Sequence, residues 1–304
     1  MILVTGSAGF IGSNLIRRLN TKGIEDIISV DYTNPADRFP DLKVHSHIHP
    51  KFFIDGIERF IQDVSVVFHQ GANTCTTDHS EKMISDNFDY SKKILDASIK
   101  YETRLIYASS AAVYGSGENG FNISRECEFP LNIYGFSKLL FDDYARSVLR
   151  LSRNKSQLSG LRYFNVYGPG ESHKNGMAST IFHFYNQSKN NKLIHPFSGS
   201  EKFYRDFIYI DDVIDHIMFL FKNNDLSGVF NCGTGNERSF LDIAEIVSSI
   251  TGAKIEEIDF PENLSQFYQS FTKAEMSISS ALGFPGDFIQ LESGIKSYIE
   301  YLEK

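Results

Sequence analysis

Residues 2–12 read Ile2-Leu3-Val4-Thr5-Gly6-Ser7-Ala8-Gly9-Phe10-Ile11-Gly12, and this stretch decides the fold. Ile2, Leu3, Val4 and Thr5 make a short buried-strand signal. After the glycines, Leu15, Ile16 and Leu19 recur at helical spacing up to Gly23. Strand, glycine-rich turn and helix in that order form the setting a dinucleotide-binding turn requires. The spacing here is G-x-x-G-x-x-G, not the commoner G-x-G-x-x-G. Gly6 is expected to make the tight turn, Gly9 to let backbone approach a pyrophosphate, and Gly12 to let helix and strand pack closely. The helix start at Phe10 and Ile11 would offer amide donors and the favourable end of the helix dipole to phosphate.

Moving outward, 27–30 reads as a second strand ending at Asp31. An acid about 20 residues past the turn takes the adenosine ribose hydroxyls, which favours NAD. Arg38 lies in the loop that follows and could pair with a 2′-phosphate, which favours NADP. Both cofactors stay open at this point. A third strand over 44–48 carries His45, His47 and His49 in alternation. They share no evident further ligands, so no metal is expected. A helix over 52–61 leads to a strand over 64–68, which opens into Gln70-Gly71-Ala72-Asn73-Thr74. A small-residue loop at the carboxyl edge of a parallel sheet is where ligands bind in this architecture.

A helix over 81–100 contains Asn87, and a fifth strand over 104–108 runs into Ser109-Ser110. Asn132 then caps a helix carrying Tyr134 and Lys138 in its first turns. Tyrosine and lysine four residues apart share one helix face. A nearby ammonium favours tyrosinate, so the Tyr134 phenol is expected below its usual value of about 10. That makes Tyr134 a candidate acid/base, with the Ser110 hydroxyl on the same substrate oxygen. Tyr185 and Lys189 repeat the spacing but lack an upstream serine-bearing strand.

Alternating strands and helices through a sixth strand at 159–164 predict a doubly wound parallel sheet over 1–165. The less regular remainder, 166–304, reads mainly as a substrate-binding lobe, with segments near 205–235 returning to the first domain. Helices are expected near 177–189, 211–222, 239–251 and 289–303, and short strands at 207–210, 228–231 and 255–258.

Composition narrows the partners. The net charge of −8 argues against a nucleic-acid or membrane-surface binder. Three scattered cysteines without a CxxC pair suit free thiols in a reducing compartment, so the chain reads as cytoplasmic. No signal peptide is read at the N-terminus, and no apolar run approaches the length of a membrane span.

The motifs together resemble the extended short-chain dehydrogenase/reductase superfamily: Thr5-Gly6-x-x-Gly9-x-x-Gly12, Ser110, Tyr134-x-x-x-Lys138, the run from Arg162 to Pro169, and Arg205-Asp206-Phe207 with Asp211-Asp212-Val213. The resemblance runs the length of the chain and implies a Rossmann-type sheet with a smaller α/β lobe. A narrower likeness rests on Pro130-Leu131-Asn132-x-Tyr134-Gly135-x-Ser137-Lys138, on His173-Lys174-x-x-Met177-Ala178-Ser179, and on Phe197-x-Gly199-Ser200. These are similar to the ADP-glyceromanno-heptose 6-epimerase family, which interconverts the C6″ epimers of a heptose precursor of the lipopolysaccharide core.

That likeness implies NADP, with NAD as the alternative, and gives Arg38 the 2′-phosphate. It implies a nucleotide-sugar substrate and a homo-oligomer, a pentamer being one form. By the same likeness Tyr32, Asn87 and Val166 join the cofactor residues, and Lys138 binds the nicotinamide ribose. Lys174 touches cofactor and serves as a second acid/base, Arg205 clamps the substrate diphosphate, and Asn165, His183, Phe197, Ser198, Gly199, Ser200 and Tyr268 line the sugar and nucleotide pocket. Gly176 departs from the family, which commonly has a serine there. Competing readings are another nucleotide-sugar epimerase or dehydratase, and a dinucleotide-binding protein without catalysis. A dehydratase generally needs acid/base carboxylates beside its serine, and Ser110-Ala111-Ala112-Val113 offers none.

Overall fold

The computed structural model of the protein describes residues 1–76, 80–151, 156–261 and 269–304. Strand β1 (Ile2–Thr5) is buried along its whole length, as a central parallel strand covered on both faces must be. The pleat sends Leu3 into one core, with Phe53, Ile94 and Phe141, and Val4 into the other, with Leu15, Ile16 and Val213. After β1 come α1 (Phe10–Thr21), β2 (Ile27–Val30), α2 (Pro35–Arg38), β3 (Ser46–Ile48), α3 (Pro50–Asp55), α4 (Ile57–Ile61) and β4 (Val66–His69). Next are α5 (Lys82–Ile84), a π-helical segment Ser85–Asp89, α6 (Tyr90–Lys100), β5 (Arg104–Ser110), α7 (Ile133–Leu151), β6 (Leu158–Tyr163) and β7 (Asn165–Tyr167).

The remaining elements are α8 (Thr180–Asn191), β8 (Leu193–Ile194), β9 (Tyr204–Tyr209), α9 (Ile210–Lys222), β10 (Gly228–Cys232), β11 (Glu237–Ser239), α10 (Phe240–Thr251), β12 (Lys254–Ile255), α11 (Ser277–Ala281) and α12 (Leu291–Leu302). Seven strands form one parallel sheet in the order β10-β6-β5-β4-β1-β2-β3. The order in which strands are added reverses between β1 and β4, and the crevice at their carboxyl ends is where such sheets hold ligands. Two small sheets complete the molecule: β11-β9-β7, and β12 with β8.

Several boundaries differ from the sequence reading. The helix expected over 52–61 breaks at Gly56, whose backbone leaves helical geometry (φ −119°, ψ 24°). The helix over 81–100 holds the π-helical turn around Asn87. The strand over 255–258 ends at Ile255, because Ile258 bridges Phe197 instead. The histidines around β3 have local tasks: His47 bonds the Ser29 hydroxyl at 3.0 Å, and His49 caps α3. No helix among the described residues is long and apolar enough to cross a membrane.

Candidate active site

A cleft of about 570 Å³ opens over the carboxyl ends of β1, β2 and β4. Its floor needs glycine. Gly6 has φ +65°, and a Cβ there would lie 2.6 Å from Gly71 Cα, so the β1–α1 turn and the loop after β4 touch through bare backbone. A Cβ on Gly12 would lie 2.1 Å from the Gly6 carbonyl, so Gly12 packs the helix onto its own entry turn. Gly9 begins α1 with no side-chain cap, which leaves first-turn amides beside the cleft at Phe10, Ile11 and Gly12. An uncapped helix start over a glycine cradle fits a diphosphate.

At the β2 side, Asp31 accepts the Ala8 N–H at 2.9 Å and the Tyr32 N–H at 2.7 Å. Arg38 donates to the Ala8 carbonyl at 2.6 Å. An acidic and a basic side chain thus hold the two backbone polar groups of Ala8, on successive peptide units, at the cleft wall. The carboxylate keeps lone pairs for a ribose, and the guanidinium keeps N–H donors for a phosphate. Gln70, Gly71, Ala72, Asn73 and Thr74 line the opposite wall. The cleft therefore gathers Gly6, Gly9, Phe10, Ile11, Gly12, Asp31, Tyr32, Arg38, the 70–74 loop and Lys174 as expected. It does not take in Asn87, Val166 or Lys138. Asn87 is buried behind the wall, accepting the Asn73 N–H at 2.8 Å and donating to the Asn73 carbonyl and the Ser137 hydroxyl. Val166 pairs with Ile208 in the small sheet.

The acid/base group forms beyond that wall. Ser110 ends β5 and its hydroxyl accepts the Ala112 N–H. Asn132 caps α7 by accepting the Gly135 N–H at 2.8 Å. Gly135 allows the close approach, since a Cβ there would sit 2.6 Å from the Ala112 carbonyl. The Ser110 side chain acts on the Tyr134 phenol in the direction that favours its ionised form. The expected lowering of the Tyr134 phenol is corrected here. Burial pushes it above its ordinary value, with Ser110 opposing. The Lys138 ammonium is committed elsewhere, donating to the Ala108 carbonyl at 3.0 Å, and burial brings it down to about 8.

Lys174 lies apart from this pair. Its ammonium stands over the Phe10 ring at 5.4 Å, in the cleft beside His173. Burial lowers the lysine, with Glu171 opposing. Glu171 is fully buried and staples the Lys174 loop at its far end, accepting the Ser179 N–H and hydroxyl at 2.5 and 2.6 Å.

The residues expected around the sugar border a different region. Asn165 opens β7 opposite Phe207. Gly176 has open space around it. His183 lies on α8 beside Phe182. Phe197 packs on Phe260, the Ser198 N–H reaches the Ile258 carbonyl, Gly199 takes φ +84°, and Ser200 is buried with its hydroxyl unpartnered. Arg205, nearly enclosed in β9, donates to the Tyr204 carbonyl and covers the Phe240 ring. None of these borders the cleft. Tyr268 lies outside the described residues.

Sequence reasoning passed over Thr5, Lys82, Tyr90 and His173, which also line the cleft. It also missed a buried ionic group beneath Ser109. Asp142 accepts from Arg162, Ser109 and Tyr107, while Glu128 accepts from Arg162 and Arg146. The signal was present: a charged Arg162 within the apolar strand run 158–164 demands a buried partner.

The sequence pattern of the NAD dependent epimerase/dehydratase family matches residues 2–233. The chain belongs to this family. Within it, the chain is 45% identical to ADP-L-glycero-D-manno-heptose-6-epimerase of Brachyspira hyodysenteriae, over all of this chain and 98% of that one. The crystal structure of the Helicobacter pylori ADP-L-glycero-D-manno-heptose-6-epimerase superimposes with a TM-score of 0.87 at 30% identity, over 99% and 96% of the two chains. The UDP-glucose 4-epimerase of Thermotoga maritima follows at 0.86 and 25% identity, over 99% and 98%. The epimerase/dehydratase family thus shares the whole of this architecture, lobe included.

Proposed function

We propose that this protein epimerises ADP-D-glycero-D-manno-heptose at C6″ to the L-glycero form, using a tightly held NADP. The observation that carries the reading is 45% identity over the full chain to a heptose 6-epimerase, joined to a Ser110 side chain that acts on the Tyr134 phenol.

The bound dinucleotide supplies a hydride acceptor that later gives the hydride back. The Tyr134 oxygen takes the proton of the C6″ hydroxyl as hydride leaves that carbon, and Ser110 donates to the same oxygen. The planar ketone accepts hydride on its other face and a proton on its oxygen, so net redox change is zero. Lys174, its proton loosened by burial, serves the second orientation of the sugar. Burial opposes the Tyr134 phenolate and Ser110 favours it, and a cationic oxidised nicotinamide held against the tyrosine would favour it further. Arg38 favours NADP by pairing with a 2′-phosphate. Arg205 holds the substrate diphosphate, and the protein works as a homo-oligomer.

The test is incubation with ADP-D-glycero-D-manno-heptose without added dinucleotide, followed by anion-exchange separation of the C6″ epimers. A mixture is expected. No conversion with NADP⁺ and NAD⁺ both supplied would overturn the reading and turn attention to UDP- and GDP-sugars.

A further inference from the structure

One buried group has no part in the mechanism above, yet touches both halves of the site. His69 ends β4 and is 3% exposed. Its Nδ1 lies 2.6 Å from the Thr5 hydroxyl, and its Nε2 lies 2.7 Å from the Ser91 hydroxyl. The partners decide the protons. Ser91 donates its single proton to the Asn87 carbonyl, so its oxygen accepts from His69 Nε2–H. Nδ1 is then the acceptor for the Thr5 hydroxyl, and the Thr5 oxygen accepts the Gly71 N–H at 3.2 Å.

The chain continues at both ends. Gly71 lines the cleft and touches Gly6. Asn87 grips Asn73 in the cleft wall and donates to the Ser137 hydroxyl at 3.0 Å, which donates to the Tyr134 carbonyl at 2.7 Å. The π-helical turn over Ser85–Asp89 carries Asn87 within this chain, and such turns collect at working sites. Burial first, and the Lys138 charge second, keep the imidazole uncharged down to about pH 3. The rings of Tyr90 and Phe141 pack on it.

We propose that His69 is a positioning residue, fixed as the Nε2–H tautomer, that couples the dinucleotide-cradling loops to the start of the helix bearing Tyr134. Nδ1 serves the cradle through Thr5 and Gly71. Nε2–H serves the catalytic helix through Ser91, Asn87 and Ser137. This rests on reading the cleft as the dinucleotide site and Tyr134 as the acid/base.

Two substitutions separate the halves. In His69→Asn the amide oxygen takes the place of Nδ1, and in His69→Gln the amide nitrogen takes the place of Nε2. His69→Asn is expected to hold the NADPH and NADH dissociation constants within about 3-fold while epimerisation at saturating sugar falls about 10-fold. His69→Gln is expected to show the reverse, each loss being that of one buried hydrogen bond. Parallel loss of binding and turnover that follows Tm, or no change in either, would overturn the coupling. Long-range ¹H–¹⁵N spectra of the wild-type protein need no His69 variant. The ring, identified by its response to Ser91→Ala, is expected to stay the Nε2–H tautomer from pH 5 to pH 9, and an imidazolium or the other tautomer would overturn the assignment. Wild-type protein that neither binds dinucleotide nor converts the sugar would fail the functional reading, while the tautomer still decides the relay.

Discussion

Tyr134→Phe deletes the phenol oxygen on which Ser110 acts. It should leave dinucleotide binding and Tm in place and lower turnover by about 10²–10⁴. Loss of folding in this variant would instead give the tyrosine a structural role. Arg38 is a second residue-scale test. It lines the same cleft as Asp31, which takes the Ala8 N–H while Arg38 takes the Ala8 carbonyl. Arg38→Ala should weaken NADPH by about 10-fold or more, through loss of a charge-assisted bond, and NADH by less than about 3-fold. Equal weakening in fluorescence titrations would remove the 2′-phosphate role. At this scale the sequence was informative about identity but not about environment. Tyr134, Ser110 and Lys138 could all be named from spacing. That Lys138 turns to the Ala108 carbonyl, and that burial dominates the phenol, depends on packing from β5 and cannot be read along the chain.

Element by element, propensity and capping signals marked most helices and strands, and tertiary contacts moved their ends. Ser179 caps α8 at the Phe182 amide, so the helix starts later than its apolar pattern. The π-helical turn at Asn87 had no local signal, because its polar ties to Asn73 and Ser137 come from elsewhere in the fold. The start of α9 carries a testable charge. Asp212 is 7% exposed and accepts the Ile289 N–H at 3.0 Å, and burial first, with Asp215 and Asp211 adding, pushes its carboxyl up to about 6. The folded state therefore holds this proton more tightly than the unfolded state, whose value is near 3.8. Stability from this group falls as pH rises from about 4 to about 6. Asp212→Asn keeps the acceptor and removes the charge. It should flatten that slope in urea titrations and stabilise the protein at pH 7 by at most about 3 kcal/mol. An unchanged slope would place the titration elsewhere.

Over the whole molecule, the strand order puts β10, from the second half of the chain, beside β6 at the sheet edge. The buried ionic group of Arg162, Asp142, Glu128 and Arg146 joins β6 to α7 and the segment before it. Arg162 has no solvent exposure, so Arg162→Leu would leave the buried Asp142 carboxylate without its cation. A loss of about 3–5 kcal/mol is expected by urea unfolding. A loss under about 1 kcal/mol would mean that water enters and screens the pair. Glu128 keeps Arg146 in that variant, so the stranded charge is Asp142, and Arg162→Leu with Asp142→Asn should recover part of the loss.

The sequence alone determined what depends on neighbours a few residues apart. The strand–glycine turn–helix at 2–21, the acid at the end of β2 and the Tyr134–Lys138 spacing are local, because backbone sterics and helix periodicity act over one or two turns. Only the tertiary structure decided which walls meet. It brought Gly71 within contact of Gly6, set Lys174 over Phe10, and buried His69 between β1 and α6. Those outcomes follow from strand order and from the need to satisfy every buried polar group, and both are settled by residues tens of positions apart.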